Sequence, residues 1–325
     1  MPHSLLPTHF MWKEYIRLNP DLAHIKNRLD AEIHWINTGR SQMRLYHKDQ
    51  LNVRCEFGAE VVLYGCYYYY LYTKNLLFDN KITTYKGMKD IYYFIKPENI
   101  IEKDEQRQSA KPIQCRLLVN NSEGVENFNM NYFKPIPFKS QFHNSIFQFE
   151  KPLLIIHNKY NIEWSDKPIN FFDATTLDAV FSKLHKDYHI VYIRPSNKKI
   201  DLKCKQYSHD HNLIQEDLND FELIESKYKN TVHVFDDILE QHPNYSYNLC
   251  KLMLYANCNN FINVQGGNTM FTAFFLGKML ILHKKGHEIK SKCYNGWYKE
   301  LNSNEKEIRV CETDSSLIKN LDMFL

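Results

Sequence analysis

The chain contains few glycines, and it lacks most of the short motifs that would assign a function directly. Only 10 of its 325 residues are glycine. It has no GxGxxG fingerprint followed by an acidic residue about 20 positions on, which argues against an NAD-dependent oxidoreductase. It also has no P-loop and no D-x-D pair of carboxylates, the usual holder of Mg²⁺ or Mn²⁺ on a nucleotide sugar.

Signals for disulfides, secretion, membranes and nucleic acids are also missing. The eight cysteines form no C-x-x-C pair, and no Cys/His cluster has zinc-finger spacing. The N-terminus shows no secretory signal and no apolar run reaches about 18 residues, so we expect a reduced, cytoplasmic protein without a membrane span. The net charge is only +3, and without a clustered basic face we expect no nucleic-acid partner.

The length predicts more than one domain, because single hydrophobic cores stop growing at roughly 250–300 residues. We divide the chain into a helical N-terminal module at 1–48, a second domain at 49–148 and a third at 149–325. In the module, two helices separated by "NPDL" are expected, with a helix stop at Gly39. The predicted packing face of the module comprises Trp12, Tyr15, Ile33, Trp35 and Ile36.

The segment from 49 to 148 has the weakest pattern. "EFGAEVVLYGCYYYYLY" predicts a loop followed by a buried helix, in which part of the tyrosine run 67–70 is core and part lines an acceptor groove. "DIYYFI" and "QCRLLVN" are interpreted as strands. The proline-containing "NYFKPIPFKSQF" is interpreted as an extended linker.

From residue 151 onwards, short apolar runs alternate with helical patterns. Leu177, Val180, Phe181 and Leu184 have helical spacing, and Asp173 offers a cap before them. This alternation of strand and helix patterns predicts an α/β fold with a parallel, Rossmann-like sheet covered by helices on both faces. The predicted strands are "KPLLIIHN", "HIVYIRP", "TVHVF", "NFINV" and "MLIL", with helices within 175–187, 213–227, 248–258 and 268–277.

In such sheets, ligands bind beyond the carboxyl ends of the strands. The strand ends of this chain carry polar residues that therefore become site candidates. They are 157–159 (His-Asn-Lys), 194–196 (Arg-Pro-Ser), 236–237 (Asp-Asp), 265–268 (Gln-Gly-Gly-Asn) and 283–285 (His-Lys-Lys).

The stretch "NVQGGN" follows a strand and opens a helix. Gly266 and Gly267 remove side chains where a ligand would approach, and the amides of Asn268, Thr269 and Met270 would face an anion. Gln265 precedes the pair. The alternative is an ordinary tight turn between a strand and a helix.

Cationic residues lie at the same predicted edge of the sheet. Arg194 ends the second strand, where a guanidinium can clamp a diphosphate, although a surface salt bridge is the alternative. Asn158 and Lys159 end the first strand. With no D-x-D in the chain, such groups would have to supply the positive charge that a metal supplies elsewhere.

Several sequence segments resemble those of a known enzyme family. "KPLLIIHNKYNIEW", "VYIRP", "YANCNNFINVQGGNTMFTAFFLG" and "HKKGHE" with the later "YNGWY" resemble GT-B glycosyltransferases of large algal (chlorella-type) DNA viruses and of bacteria. The resemblance covers about residues 50–310. "VYIRP" and "INVQGGN" are also similar in placement to the donor-binding motifs of GT-B fucosyltransferases, but Pro195 follows Arg194 where that family has a second Arg and then Asp.

This resemblance implies two Rossmann-like domains facing a cleft, an acceptor domain and then a nucleotide-sugar domain, preceded by the helical module. It implies metal-independent, inverting transfer to an oligosaccharide or glycoprotein, such as a viral capsid glycan, in the host cytoplasm if the protein is viral. UDP-xylose is the favoured donor and GDP-fucose the second. Glu56 is the first candidate for the base, with Asp79 and Asp90 as rivals, and the alternative for each is a solvated or capping acid.

Two weaker candidates and one rival class complete the analysis. Glu288 would hydrogen-bond a ribose, or else be an exposed loop acid. "SHDH" at 208–211 has metal-ligand residue types, but a solvated loop is the favoured interpretation. The rival to an enzyme is a degenerate, non-catalytic protein that binds a glycan.

Overall fold

The computed structural model describes residues 6–7, 9–105, 107, 119–122, 125–129, 131–162, 164–195, 218–275, 277–301 and 307–325. Contacts divide the chain into two compact units. The N-terminal unit comprises 1–119 and 129–136, and the C-terminal unit comprises 120–128 and 137–325.

The N-terminal unit begins with a helical segment of the predicted kind. Helix α1 is Trp12–Leu18, a 3₁₀ turn follows at Pro20–Leu22, and α2 is Arg28–His34, continued as a π-helix to Gly39. The break at "NPDL" and the stop at Gly39 are confirmed. A side chain at position 39 would collide with the Tyr15 hydroxyl, since a Cβ there would lie 2.2 Å from it.

The packing face of this segment is confirmed except at one position. Tyr15 and Trp35 are buried, and their rings meet edge to face with centroids 5.6 Å apart. Trp12 and Ile36 pack against this cluster. Ile33 is 46% exposed, so its assignment to the face was wrong; it lies two positions from both Ala31 and Trp35, and residues two apart point to different sides of a helix.

A second helical stretch and two paired strands complete the N-terminal unit. The helical stretch runs through α3 (Phe57–Ala59), a π-helix (Glu60–Gly65) and α4 (Cys66–Thr73), which confirms the predicted buried helix. Strand β1 (Ile82–Tyr85) pairs in parallel with β2 (Ile100–Lys103). Short 3₁₀ turns lie at Lys48–Leu51, Lys89–Tyr92 and Pro97–Asn99.

Two expectations for the middle of the chain were wrong. "DIYYFI" is a 3₁₀ turn over Lys89–Tyr92, not a strand; Ile91 and Tyr92 are wholly buried, and a short apolar run fits a buried turn as well as a strand. The supposed linker contains a helix, α5 (Phe138–Phe142), because the buried Phe138 ring packs on Phe271 and its neighbours. Most of "QCRLLVN" lies outside the described residues.

The C-terminal unit is built on a six-stranded parallel sheet. Its strands lie in the order β10-β9-β8-β5-β6-β7. Their bounds are β5 Leu153–His157, β6 His189–Ile193, β7 Val232–Val234, β8 Asn260–Val264, β9 Lys278–Leu282 and β10 Glu307–Cys311, and a separate pair is formed by β3 Val119–Ser122 and β4 Val125–Phe128. The central strands are mostly apolar because helices cover both faces of a parallel sheet.

Helices alternate with these strands as the spacing predicted. Their bounds are α6 Ala174–Leu184, α7 Asp220–Leu223 continued as a π-helix at Ile224–Tyr228, α8 Phe235–Gln241, α9 Tyr247–Ala256, α10 Gly267–Thr272, α11 His287–Lys290, α12 Trp297–Glu300 and α13 Asp314–Lys319, with a final 3₁₀ turn at Asn320–Phe324. Asp173 caps α6 through the Thr176 amide at 2.7 Å. The predicted helix up to Gly277 ends earlier, at Thr272, and a turn follows.

The α/β class and the parallel sheet are thus confirmed, and contacts separate two compact units. None of the helices in the described ranges has both the length and the apolar character needed to cross a membrane. The proposed boundaries at 48 and 148 stay predictions.

Candidate functional site

The strand order places a switch point between β5 and β8. From β5 the chain moves outward through β6 to β7, then returns to β8 and continues in the other direction to β9 and β10. At such a point the two connections leave the sheet on opposite sides and open a crevice beyond the carboxyl ends of the strands. The residues following β5 and β8 therefore line the crevice, and they are the sequence candidates 157–159 and 265–268.

The glycine turn after β8 lies against Lys159. Gly266 adopts a φ of +135°, which side-chain-bearing residues rarely adopt. A Cβ at this position would lie 3.0 Å from the Lys159 Nζ. The Lys159 Nζ also donates to the Gln265 Oε1 at 3.1 Å. The first glycine thus makes room for an ammonium group at the mouth of the turn.

A second cation, Lys251, approaches the same turn from helix α9. Its Nζ donates to the Asn268 Oδ1 at 2.6 Å, and the residue is wholly buried. The rings of Tyr247, Tyr255 and Phe271 surround the ammonium at 5.2–5.7 Å from their centroids. Such rings stabilise a desolvated cation by their electron-rich faces.

Our sequence analysis missed Lys251, although a signal was present. Helix α9 buries Leu252, Tyr255 and Ala256, and a lysine on a buried face is rare unless it is paired. A charged residue within an otherwise apolar helical pattern should have been marked as a site candidate.

His157, the last residue of β5, lies close to both lysines. Burial keeps its pKa well below the usual value, and the positive charges of Lys251 and then Lys159 lower it further. The imidazole is therefore neutral near pH 7. Its Nε2 is buried, and the described residues offer it no hydrogen-bond partner.

Amide side chains connect this region to the end of β9. Gln265 donates to the Glu288 Oε1 at 2.7 Å. Asn170 donates to the Gln265 Oε1 at 3.2 Å and accepts from the backbone amides of Lys284 and Lys285. Glu288 is 5% exposed, so its interpretation as an exposed loop acid was wrong.

His283, at the end of β9, is a second buried imidazole in this region. Its Nδ1 lies 2.7 Å from the Tyr294 hydroxyl, and its Nε2 lies 3.9 Å from the Glu288 carboxylate. Burial, with a contribution from Lys159, lowers its pKa to about 4. A side chain at Gly286 would collide with this ring, because a Cβ there would lie 2.4 Å from the Nε2.

Arg194 ends β6, the strand beside β5, but its side chain points into an ion pair. The guanidinium donates two hydrogen bonds to the Asp220 carboxylate, one of them at 2.7 Å, and the Tyr192 hydroxyl donates to the same carboxylate at 2.5 Å. Arg194 is 6% exposed and Asp220 is wholly buried. The salt-bridge alternative therefore holds, with the pair in the interior and not at the surface.

Two further candidates are occupied by internal bonds. Asn158 is wholly buried. Its side-chain amide donates to the Phe172 carbonyl and accepts from the Phe172 amide, both at 2.9 Å, and it donates to the Tyr192 hydroxyl at 3.0 Å. The Thr269 hydroxyl donates to the Val264 carbonyl at 2.5 Å and is buried. Both side chains therefore hold backbone segments beside the candidate site in place.

The three candidate bases lie in the N-terminal unit in different surroundings. Glu56 is exposed at the start of α3. Asp79 is exposed and forms an ion pair with Lys96 at 2.9 Å, which lowers its pKa through that hydrogen bond and charge. Asp90 is half-buried in the 3₁₀ turn.

The structure adds a fourth carboxylate that the sequence analysis passed over. Glu60, one helical turn beyond Glu56, is wholly buried. It accepts hydrogen bonds from Thr84, from the Tyr92 hydroxyl at 2.9 Å and from Arg107 at 2.6 Å. These bonds satisfy its oxygens inside the unit, which is the pattern of a structural carboxylate.

No metal cluster is formed among the described residues, where no group of three or more His, Cys, Asp or Glu side chains is arranged to hold an ion. The "SHDH" stretch at 208–211 lies outside that part of the chain. Within the described part of the chain, Cys55, Cys66, Cys250, Cys258, Cys293 and Cys311 form no disulfide.

Comparison with known proteins identified two solved structures. A glycosyl transferase of family 9 from Veillonella parvula DSM 2008 is 12% identical over 62% of this chain and 47% of its own, with a TM-score of 0.32. The wall teichoic acid polymerase TagF is 11% identical over 74% of this chain and 48% of its own, with a TM-score of 0.31. The matched region is thus about half the length of each protein, and TM-scores this low do not establish a shared fold. No family model and no curated protein matches the chain.

Proposed function

We propose that this protein is a metal-independent glycosyltransferase that moves a sugar from a nucleotide-sugar donor to a glycan acceptor. The observation that supports the proposal most directly is the turn Gln265–Asn268 at the switch point, approached by two lysines. Lys159 lies over Gly266, and Lys251 donates to Asn268. A nucleoside diphosphate fits such a turn, because its negative charge suits the two lysines and its phosphates can approach the backbone of the glycines.

In this proposal the lysines stabilise the leaving diphosphate. Negative charge builds up on the diphosphate as the bond to the sugar breaks, and fixed cations lower the energy of that state. Lys159 is partly exposed and would contact the phosphates. Lys251 is buried behind Asn268 and would act through that amide and through its charge. In other enzymes a divalent cation does this work.

A carboxylate must accept the proton of the attacking hydroxyl. We keep Glu56 as the first candidate, because it is exposed and its side chain makes no capping bond at the start of α3. Asp79 is the weaker candidate, since its ion pair with Lys96 favours the charged form but lowers its basicity. UDP-xylose remains the favoured donor and GDP-fucose the second, and an inverting outcome remains part of the proposal.

The donor half of the proposal is tested by a thermal-shift screen. The purified protein would be heated with UDP, GDP, CMP and their common sugars, each with and without EDTA. We expect one nucleoside diphosphate and its sugars to raise the Tm equally with and without the chelator. A shift that disappears with EDTA would contradict metal independence, and no shift with any nucleotide would contradict the proposed function.

The catalytic half is tested with Glu56→Gln. Release of the nucleoside diphosphate would be followed for the donor found in the screen, with a mixture of oligosaccharides as acceptors. We expect the variant to lose transfer while the nucleotide still raises its Tm. Glu98→Gln, an exposed carboxylate of the same unit, serves as the matched control.

A further inference from the structure

A cavity in the C-terminal unit is separate from the glycine turn and its lysines. Its volume is about 740 Å³, and ligand pockets in proteins commonly measure roughly 300–1,000 Å³. Strand β7 forms its floor, and its walls come from the segment 146–149, from α7 with its π-helical continuation, and from α8. Of the described residues that line it, none is Lys159 or Lys251 or belongs to the turn 265–268. The cavity therefore has room for a small molecule at a second place in the unit.

Three aromatic rings form a column beside this cavity. The Phe149 ring stacks on His189, the first residue of β6, with centroids 3.6 Å apart and planes 9° from parallel. His189 in turn stacks on His233 of β7 at 4.3 Å and 14°. Two rings this close cannot share one face of the His189 imidazole, so they cover its opposite faces. The column can therefore be extended only beyond Phe149 or beyond His233.

The column runs across the sheet and stops at the edge strand. Among the described strands, β7 is the last on its side of the sheet. All three residues of β7 line the cavity, which thus lies where a further strand would supply the next ring. His233 is partly exposed, and His189 covers the inner face of its ring. The part of the His233 ring that lines the cavity is therefore its outer side.

The charge of the cavity restricts the ligand. It is lined by the carboxylates of Glu225 and Asp237 and by the ammonium of Lys229, which forms an ion pair with Glu225. The two imidazoles of the column are neutral near pH 7, because burial lowers the pKa of both, to about 4 for His189. Two negative groups thus face one positive group that is already paired. Such surroundings disfavour phosphates and carboxylates and suit an uncharged ligand.

A purine combines the required shape with the required charge. Its flat two-ring base can continue the column on His233, since nucleobases stack on aromatic and imidazole side chains. Its amino group and ring nitrogens match the Asp237 carboxylate, the Gln241 amide and the backbone groups that an edge strand presents. A nucleotide or a nucleic-acid strand carries phosphates, which the charge of the cavity disfavours.

We infer that this cavity binds an uncharged purine, as the free base or the nucleoside, with its rings stacked on His233. Binding there does not depend on the proposed glycosyl transfer, because the donor of that reaction would bind at the glycine turn. The C-terminal unit would then hold two ligands of opposite character, an anion beside lysines and a neutral ring at the sheet edge.

The experiment measures binding by the full chain in a calorimeter. Adenine, adenosine and AMP would each be titrated into the wild type, His233→Ala, His233→Phe and His185→Ala. His185 is the matched control, because it is a partly exposed histidine of the same unit whose ring packs on Tyr228 at 5.5 Å and does not line the cavity. Unfolding curves establish that each variant is folded.

We expect adenosine to bind the wild type, and AMP to bind about tenfold more weakly because of its charge. Loss of the stacking ring in His233→Ala should weaken adenosine binding by about tenfold, whereas His233→Phe keeps a flat ring and should change it much less. Adenine that binds as tightly as adenosine would identify the free base as sufficient. No binding of either compound to the wild type, or equal affinities of His233→Ala and His185→Ala for adenosine, would overturn the inference.

Asp237→Asn tests the charge argument without altering the ring column. Removing one carboxylate should narrow the difference in affinity between adenosine and AMP, and an unchanged difference, or AMP that binds the wild type as tightly as adenosine, would contradict the assignment of an uncharged ligand.

Lys159→Ala separates this cavity from the proposed donor site. It should bind adenosine as the wild type does and a nucleoside diphosphate more weakly. Loss of adenosine binding in Lys159→Ala would place the purine at the glycine turn and overturn the inference. Adenosine binding that depends on His233, with no response to UDP or GDP, would support the inference and refute the transferase.

Discussion

Cationic side chains at neighbouring strand ends of one sheet have different kinds of partner. At the end of β6, Arg194 is held by two hydrogen bonds to the buried carboxylate of Asp220. At the ends of β5 and β8, Lys159 and Lys251 donate to the amide oxygens of Gln265 and Asn268, which carry no net charge. The first arrangement is typical of a structural ion pair, whereas the second brings two ammonium groups to a glycine turn, where we propose that an anion binds.

The largest effect expected from this comparison is on stability. Arg194→Ala leaves Asp220 as a buried charge without its cation, which should cost about 3–5 kcal/mol of unfolding free energy. Chemical denaturation of the wild type and the variant measures the difference. Arg194→Met combined with Asp220→Leu removes both charges and should recover much of the loss, so a double variant as unstable as the single one would contradict the ion-pair interpretation.

Lys251→Met should affect nucleotide binding more than folding. An apolar side chain of similar length replaces a buried charge at little cost, whereas loss of a charged donor near the turn should weaken nucleotide binding by about tenfold or more, or roughly 1.5–3 kcal/mol. Titration calorimetry with the nucleoside diphosphate measures this. Lys183→Met, at an exposed lysine of α6, is the control, and equal affinities in the two variants would remove Lys251 from the site.

A smaller effect is expected from Gly266→Ala. The alanine must adopt a φ of +135° and its Cβ displaces the Lys159 Nζ, so we expect a cost of about 1 kcal/mol together with weaker nucleotide binding. Gly87→Ala shares the positive φ but has open space around the new Cβ. The control should therefore lose stability only, and a Gly266→Ala variant with unchanged nucleotide binding would argue for an ordinary turn.

The last of these predictions concerns pH. His283 has a pKa of about 4 in the folded protein and 6.5 as its ordinary value. Between these values the unfolded chain binds the proton and the folded chain does not, so the unfolding free energy should fall as pH drops from 6.5 to 4. In His283→Asn, denaturation curves over this range should show a shallower fall, and an unchanged slope would mean that His283 is not the group responsible.

The sequence predicted the C-terminal unit better than the N-terminal one, for a physical reason. Strands such as "LLIIH" and "HIVYI", buried on both faces, give continuous apolar runs, and helix α6 carries its cap and its spacing in the residues themselves. In "DIYYFI" the same apolar character belongs to a buried turn. A short run does not distinguish the two, because burial by distant residues decides the outcome.

The strand ends that form the candidate site could be chosen from the sequence, but their side-chain pairings could not. Strand ends and the paired glycines pointed to residues 157–159 and 265–268, which the strand order brings to one crevice. The partner of Arg194 lies 26 residues along the chain, at Asp220, and Lys251 comes from a helix that sequence spacing marked only as core. The apolar pattern around Lys251 could have marked the lysine itself, but the partners of both cations depend on the packing of whole elements and have no local sequence signal.

The central claim is that Lys159 and the glycine turn bind a nucleoside diphosphate without a metal, and calorimetry tests it most directly. UDP and GDP would be titrated, in EDTA, into the wild type, Lys159→Ala and the Lys183→Ala control. The account predicts saturable binding of one nucleotide to the wild type and the control, weakened about tenfold or more in Lys159→Ala. Binding of equal strength in all three proteins, or of neither nucleotide to the wild type, would contradict it.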